Sequence, residues 1–215
     1  MNRYKENLAK YLSLYLVTDR HWTSDSVSLG QQVEEALAHG LTCVQLREKH
    51  LDYDSFLKEA KEIQGLCQRY TIPFIINDNV ELALACGADG LHIGQEDGSV
   101  AAIRDCIGKD MILGVSAQTL EQALAAEKEG ADYLGVGAVF PTSSKADAIH
   151  VSLDTLAEIC QAVSIPVVAI GGISFANIGA LKGKGLAGVS LISAILGAPS
   201  IGQATEELRK ESEEL

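Results

Sequence analysis

The segment Gln45-Leu46-Arg47-Glu48-Lys49 places an amide and two cations at alternate positions, directly after the apolar run Leu41-Thr42-Cys43-Val44. Successive side chains of a strand point to opposite faces, so Gln45, Arg47 and Lys49 would share one face. An arginine fork and a lysine point charge side by side suit an anion, and each charge-assisted bond contributes roughly 1.5 to 3 kcal/mol when partly shielded from water. Taken alone, the same run reads equally well as a solvated strand end. Further polar groups follow other apolar runs: Asn77-Asp78, Gly94-Gln95-Glu96-Asp97, Gly114-Val115-Ser116, Pro141-Thr142-Ser143-Ser144-Lys145, Gly171-Gly172 and Ile192-Ser193.

The elements that must carry these groups alternate regularly. β-rich runs fall at residues 14–18, 42–47, 74–77, 90–93, 112–115, 133–137, 167–171 and 188–192. Helical periodicity falls between and after them, at residues 29–38, 53–70, 80–86, 100–107, 120–129, 153–162, 175–182 and 202–210. Gly40, Gly87, Gly108 and Gly130 follow helical runs, where glycine serves as a C-terminal stop, and Gly-Ala-Asp recurs at residues 87–89 and 130–132 just before a strand. Eight βα units without a linker predict an α/β protein of one domain over residues 1–215, a closed (β/α)8 TIM barrel. Residues 1–12 are read as an N-terminal helical segment, and the order of the acidic tail at 211–215 is left open. An open doubly wound sheet is the alternative, but Gly135-Val136-Gly137 runs on into Ala138-Val139-Phe140 and lacks the third glycine of a dinucleotide fingerprint.

Barrel closure brings every strand's C-terminal end to one mouth, which turns scattered clusters into one site. Asp78 and Asp97, ending adjacent strands, suit Mg²⁺, which takes one or two carboxylates plus phosphate oxygens and water. From spacing alone Asp78 could instead cap the next helix, and Asp97 could open a turn with Gly98. Residues 141–145 offer hydroxyls and an amine, or form a plain surface turn. Gly171-Gly172 and Ile192-Ser193 fall after strands seven and eight, where many barrels hold a phosphate. The residues thus outline a diphosphate site with Mg²⁺ beside a monophosphate site.

Composition narrows the partners. A chain of 215 residues with 17 basic and 29 acidic side chains has a net charge of −12, which disfavours nucleic acid and anionic membranes. The five cysteines are dispersed without a Cys-x-x-Cys pair, so neither a disulfide framework nor a zinc ribbon is expected. His92 is the histidine nearest the polar strand ends and reads as a positioned core residue. The polar start and the lack of a long apolar stretch predict a cytoplasmic protein, with a homo-oligomer left open.

The segments Leu14-Tyr15-Leu16-Val17-Thr18-Asp19, Gln45-Leu46-Arg47-Glu48-Lys49, Ile76-Asn77-Asp78, Leu91-His92-Ile93-Gly94-Gln95-Glu96-Asp97, Gly114-Val115-Ser116, Phe140-Pro141-Thr142-Ser143-Ser144-Lys145 and Ile170-Gly171-Gly172-Ile173 closely resemble the thiamin phosphate synthase family. The resemblance implies a transferase that joins 4-amino-2-methyl-5-(diphosphooxymethyl)pyrimidine to a thiazole phosphate, through diphosphate departure and attack of the thiazole nitrogen on a pyrimidine carbocation. It implies that Gln45, Arg47, Lys49, Asn77 and Lys145 bind the pyrimidine diphosphate and that Asp78 and Asp97 hold Mg²⁺. Ser116 would lie beside the pyrimidine; Thr142, Ser144, Gly172, Ile192 and Ser193 would take the thiazole phosphate. Arg47, Lys49, Ser116 and Lys145 are the residues assigned to catalysis. Ser144 stands where the family often has threonine, which keeps the hydroxyl, and residues 146–150 are read as a lid. The alternatives are a thiazole tautomerase, which needs no diphosphate clamp, and a barrel that only binds thiazole or thiamin phosphate.

Overall fold

The computed structural model describes residues 2–24, 26–142 and 149–215. Eight parallel strands close in sequential order: β1 Leu14–Val17, β2 Cys43–Leu46, β3 Phe74–Asn77, β4 Gly90–Ile93, β5 Ile112–Ala117, β6 Tyr133–Gly137, β7 Val167–Ile170 and β8 Gly188–Leu191. β8 returns to β1 with Tyr15 opposite Ser190, while Tyr15 meets Cys43 on the other side, so no edge is left unpaired.

Alternation along each strand divides the core in two. One set of side chains, including Leu16, Val44, Leu46, Phe74, Ile76 and Leu91, faces outward into the layer between sheet and helices. The other set fills the barrel interior, with Tyr15, Cys43, Ile75, Ile112, Tyr133 and Val168 in one apolar cluster. The same parity carries Gln45, Asn77, His92 and Ser116 to the interior side above that cluster. The barrel floor is closed by a short 3₁₀ turn at Lys5–Asn7 and helix α1, Leu8–Tyr11, whose Tyr4, Leu8 and Leu12 join the interior cluster. Polar ties hold this plug in place: Asn2 donates to the Asp89 carbonyl at 2.8 Å, and Lys5 pairs with Asp132 at 2.7 Å.

The outer layer consists of α2 Leu29–Ala38, α3 Tyr53–Tyr70, α4 Val80–Cys86, α5 Val100–Ile107, α6 Leu120–Lys128, α7 Leu153–Ala162, a short α8 Ser193–Leu196 and α9 Ile201–Ser212. Their starts are written in polar caps. Ser28 and Gln31 form a reciprocal capping box on α2, and Asp52, Asn79, Ser99, Thr119, Ser152 and Ser200 each accept a backbone N–H of the first turn. The repeated Gly-Ala-Asp has one structural job in both copies. Asp89 accepts from the Phe74 N–H at 3.0 Å, and Asp132 from the Leu113 N–H at 2.8 Å, so each carboxylate secures the base of the preceding strand.

The helical expectation over residues 175–182 is corrected: only a 3₁₀ turn, Ile178–Leu181, forms there. The Asn177 side chain accepts from Ser174 N–H and donates to the Gly172 carbonyl, fastening the loop rather than a helix. The last helix, α9, runs through Ser212, and Leu215 packs against the outer core.

Candidate active site

The C-terminal mouth holds a cavity of about 670 Å³. Gln45, Arg47, Lys49, Asn77, Asp78 and Asp97 line one side of it. Ser116, Thr142, Gly172, Ile192 and Ser193 line the rest, so these sequence-derived candidates share one enclosure. Ser144 and Lys145, and with them Ser143 and most of the segment read as a lid, lie outside the described residues. Ile149, exposed by 62%, reaches the cavity rim.

The alternation after β2 survives beyond the strand itself. The Arg47 N–H is held by the Thr18 hydroxyl at 3.0 Å, which keeps the register of β1 and β2 for one more residue. Glu48 turns away from the cavity, where the Arg20 guanidinium binds it at 2.7 Å and bridges to Glu59 on α3 at 2.7 Å. Although burial acts to raise it, Arg20 and the amides of His50 and Lys49 hold Glu48 below the ordinary carboxylate range. Removing Glu48 from the mouth matters, because a carboxylate there would neutralise the cations on either side. Among the described residues the half-buried Arg47 guanidinium makes no ion pair, so its charge remains available to a ligand.

Lys49 pairs with Asp78. Asp78 has φ 59°, a left-handed conformation that aspartate tolerates better than most residues, and its N–H donates to the His92 carbonyl at 2.8 Å. Burial holds the Asp78 carboxyl above its ordinary value, opposed by the Lys49 ammonium and aided by the neighbouring Asp97 carboxylate. Helix capping does not explain Asp78, since Asn79 caps α4. One Asp97 oxygen accepts the Gly94 N–H at 2.6 Å, a local loop bond that leaves the second oxygen for other partners. Among the described residues no cluster of three or more His, Cys, Asp or Glu groups forms a complete metal cage. Two mutually repelling carboxylates beside the Arg47 and Lys49 cations nonetheless fit a hard divalent ion that completes its shell with phosphate and water.

The cavity floor is polar and buried. His92 bonds Ser116 Oγ through Nε2 at 3.0 Å and the Tyr133 hydroxyl through Nδ1 at 2.9 Å. Burial lowers its pKa from 6.5 to about 4, so the imidazole is neutral near pH 7. Gln95 donates to the Ser116 carbonyl at 2.6 Å, which fixes the end of β5. The sequence assigns no role in the site to Tyr15, Tyr133, Gln95 or Ser190. Tyrosines inside apolar runs read as core, and only the inward parity of β1 and β6 puts their hydroxyls beneath the cavity. On the opposite wall Gly172, at φ 64°, lies so close under the next loop that an added Cβ would stand 2.3 Å from the Pro141 carbonyl oxygen. Side-chain bulk there would displace the loop carrying Thr142.

The cavity's position at the C-terminal face, with a cation unpaired among the described residues, a carboxylate pair and a glycine wall, fits a (β/α)8 barrel enzyme that acts on phosphorylated small molecules. Residues 14–195 match the family model for thiamine monophosphate synthase, and the chain belongs to that family. The thiamine-phosphate synthase of Clostridium tetani is 51% identical over 196 residues, covering 91% of this chain and 93% of its own. That of Clostridioides difficile is 47% identical over 203 residues, covering 94% of this chain and 96% of its own. The solved thiamine phosphate pyrophosphorylase of Pyrococcus furiosus superposes with a TM-score of 0.89 at 41% identity, covering 97% of this chain and 98% of its own.

Proposed function

We propose that this chain is a thiamin phosphate synthase, condensing the aminopyrimidine diphosphate with thiazole phosphate to give thiamin phosphate and diphosphate. Membership of the family supports this activity. The observation that carries the chemistry is the half-buried Arg47, without an ion pair among the described residues, beside Lys49 and facing the same cavity as Gly172 and Ser193.

In this reading Gln45, Arg47, Lys49 and Asn77 bind the pyrimidine diphosphate, joined by Lys145. As the methylene C–O bond breaks, its electron pair leaves on the diphosphate, and Arg47 and Lys49 stabilise the growing charge. Lys49 exchanges its Asp78 partner for the phosphate oxygens at this stage. Asp78 and Asp97 would hold Mg²⁺, which supplies further neutralisation of the leaving group when bound. Ser116 orients the pyrimidine so that its exocyclic carbon, now cationic, faces the thiazole. Thr142, Ser144, Gly172, Ile192 and Ser193 hold the thiazole phosphate, so that the ring nitrogen attacks and the C–N bond forms. No side-chain nucleophile is required, in keeping with the dispersed cysteines and a neutral, doubly bonded His92. The chain acts as a single barrel domain in the cytoplasm; no described helix is long and apolar enough to cross a membrane.

Incubating the purified protein with both substrates, with and without Mg²⁺, tests the reading directly. Thiamin phosphate should form in a Mg²⁺-dependent manner. Binding of thiazole phosphate without product would overturn it in favour of a tautomerase or a binding barrel.

A further inference from the structure

Five polar side chains form one continuous hydrogen-bonded line across the cavity floor. Gln45 Nε2 donates to the Tyr15 hydroxyl at 2.6 Å, and the Tyr15 and Tyr133 hydroxyls lie 2.7 Å apart. The line continues through Tyr133 to His92 Nδ1 at 2.9 Å, and from His92 Nε2 to Ser116 Oγ at 3.0 Å. It spans from β2 through β1, β6 and β4 to β5. Both tyrosines are 1% exposed or less, and Tyr133 does not reach the cavity wall.

Proton counting orients the line from its Gln45 end. An amide nitrogen only donates, so the Tyr15 oxygen accepts from Gln45; of the two groups placed to take its own proton, the Tyr133 oxygen at 2.7 Å is a better acceptor than the neighbouring Cys43 thiol. Tyr133, having accepted, donates to His92 Nδ1. A neutral imidazole that accepts at Nδ1 carries its proton on Nε2 and gives it to Ser116 Oγ. The Ser116 hydroxyl proton is then left pointing into the cavity, and Gln45 keeps its Oε1 as an acceptor.

We propose that this line sets the hydrogen-bond polarity of the pocket floor, with Tyr133 as a positioning residue: Gln45 offers an acceptor and Ser116 a donor. Neither end can reverse alone, because each intermediate hydroxyl and the imidazole would have to reverse with it. A buried mismatch at either end leaves a polar group unpaired. The complementary ligand edge is a flat heterocycle with an exocyclic amino donor on one side and an unprotonated ring nitrogen on the other. The inference rests on the function proposed above, in which that edge belongs to the aminopyrimidine. A 4-oxo pyrimidine presents the inverse pattern and is rejected, although it has nearly the same shape.

Two measurements on the full-length protein test this. In ¹⁵N-labelled protein without substrate, long-range ¹H–¹⁵N correlation should find His92 protonated at Nε2 and bare at Nδ1; the Nδ1–H tautomer would overturn the proposal. In competition between the aminopyrimidine diphosphate and its 4-oxo counterpart, the native chain should prefer the amino compound by about 10⁴-fold in kcat/KM. Tyr133→Phe, which keeps the ring and removes the hydroxyl, should cut that preference at least about tenfold, chiefly through KM. The KM for thiazole phosphate should not move. Tyr15→Phe breaks the same line and should act alike, so a folding failure of one variant does not remove the test. Tyr4→Phe, buried but outside the line, should leave the preference intact. A preference unchanged in the variants of Tyr133 and Tyr15 would sink the idea. If the native chain formed no thiamin phosphate, the proposed function would fail, whereas the His92 tautomer is read without any substrate.

Discussion

Asp97 combines two roles in one side chain, because one oxygen fastens the loop to the Gly94 N–H and the other shares the cavity with Asp78. Asp97→Asn retains an acceptor for Gly94 while removing the charge. It should lower turnover by at least about 10²-fold, the scale of losing one group that stabilises a departing charge. The residue is exposed, so the unfolding free energy in urea should stay within about 0.5 kcal/mol. Turnover that did not change would take Asp97 out of the site. The alternation of Gln45, Arg47 and Lys49 was legible in the sequence because strand parity is local. The same parity hides the tyrosines, since a phenol in an apolar strand has no outward sign of its hydroxyl's partner 118 residues away.

At the scale of elements, the helix starts were legible because their caps are short-range chemistry. Ser28→Ala removes one half of the α2 capping box and should destabilise the protein by about 1 kcal/mol, with activity unchanged at 25 °C. A normal unfolding midpoint would show that the cap contributes nothing. The strands depend instead on what sits beneath them. Gly114 on β5 gives room to the Tyr133 ring, and an added Cβ would stand 2.1 Å from Tyr133 Cζ. Gly114→Ala should cost about 1 to 3 kcal/mol or more through overpacking and should also displace the tyrosine from His92. A stable variant with unaltered His92 resonances would mean that the ring has space elsewhere. Residues 175–182 carry helical periodicity yet form only the turn at Ile178–Leu181, because nothing in that stretch shows that Asn177 is committed to the Gly172 carbonyl.

For the whole molecule, burial of His92 makes stability depend on pH. Its pKa falls from 6.5 to about 4 on folding, so the unfolded chain binds the extra proton first as the solution is acidified. Stability is therefore full above 6.5 and declines as pH falls toward 4, by about 3 kcal/mol from this group alone. Asp78 and Asp89 oppose the trend: burial raises both, so they favour the fold at low pH and lose that contribution as pH rises. Urea titrations of the native chain and His92→Gln at pH 7 and pH 4 separate the two signs. The native chain should lose more stability than the variant; equal losses would show that His92 titrates normally in the fold. The net charge of −12 gives the surface no general attraction for anions, so substrate capture rests on the few cations at the mouth.

Periodicity, caps and turn residues are properties of a few neighbouring positions, and they sufficed for the eight strands, their order, all but one of the helices between and after them, and the polar groups that end the strands. The family resemblance rests on those same strand ends. Eight units already implied a closed ring, but the register of β8 against β1 and the N-terminal plug that fills the floor required the tertiary structure. So did the pairing of Lys49 with Asp78, the withdrawal of Glu48 toward Arg20, and the line from Gln45 to Ser116. Each joins residues distant in the chain, and a hydrogen bond forms only where the fold brings donor and acceptor within about 3 Å.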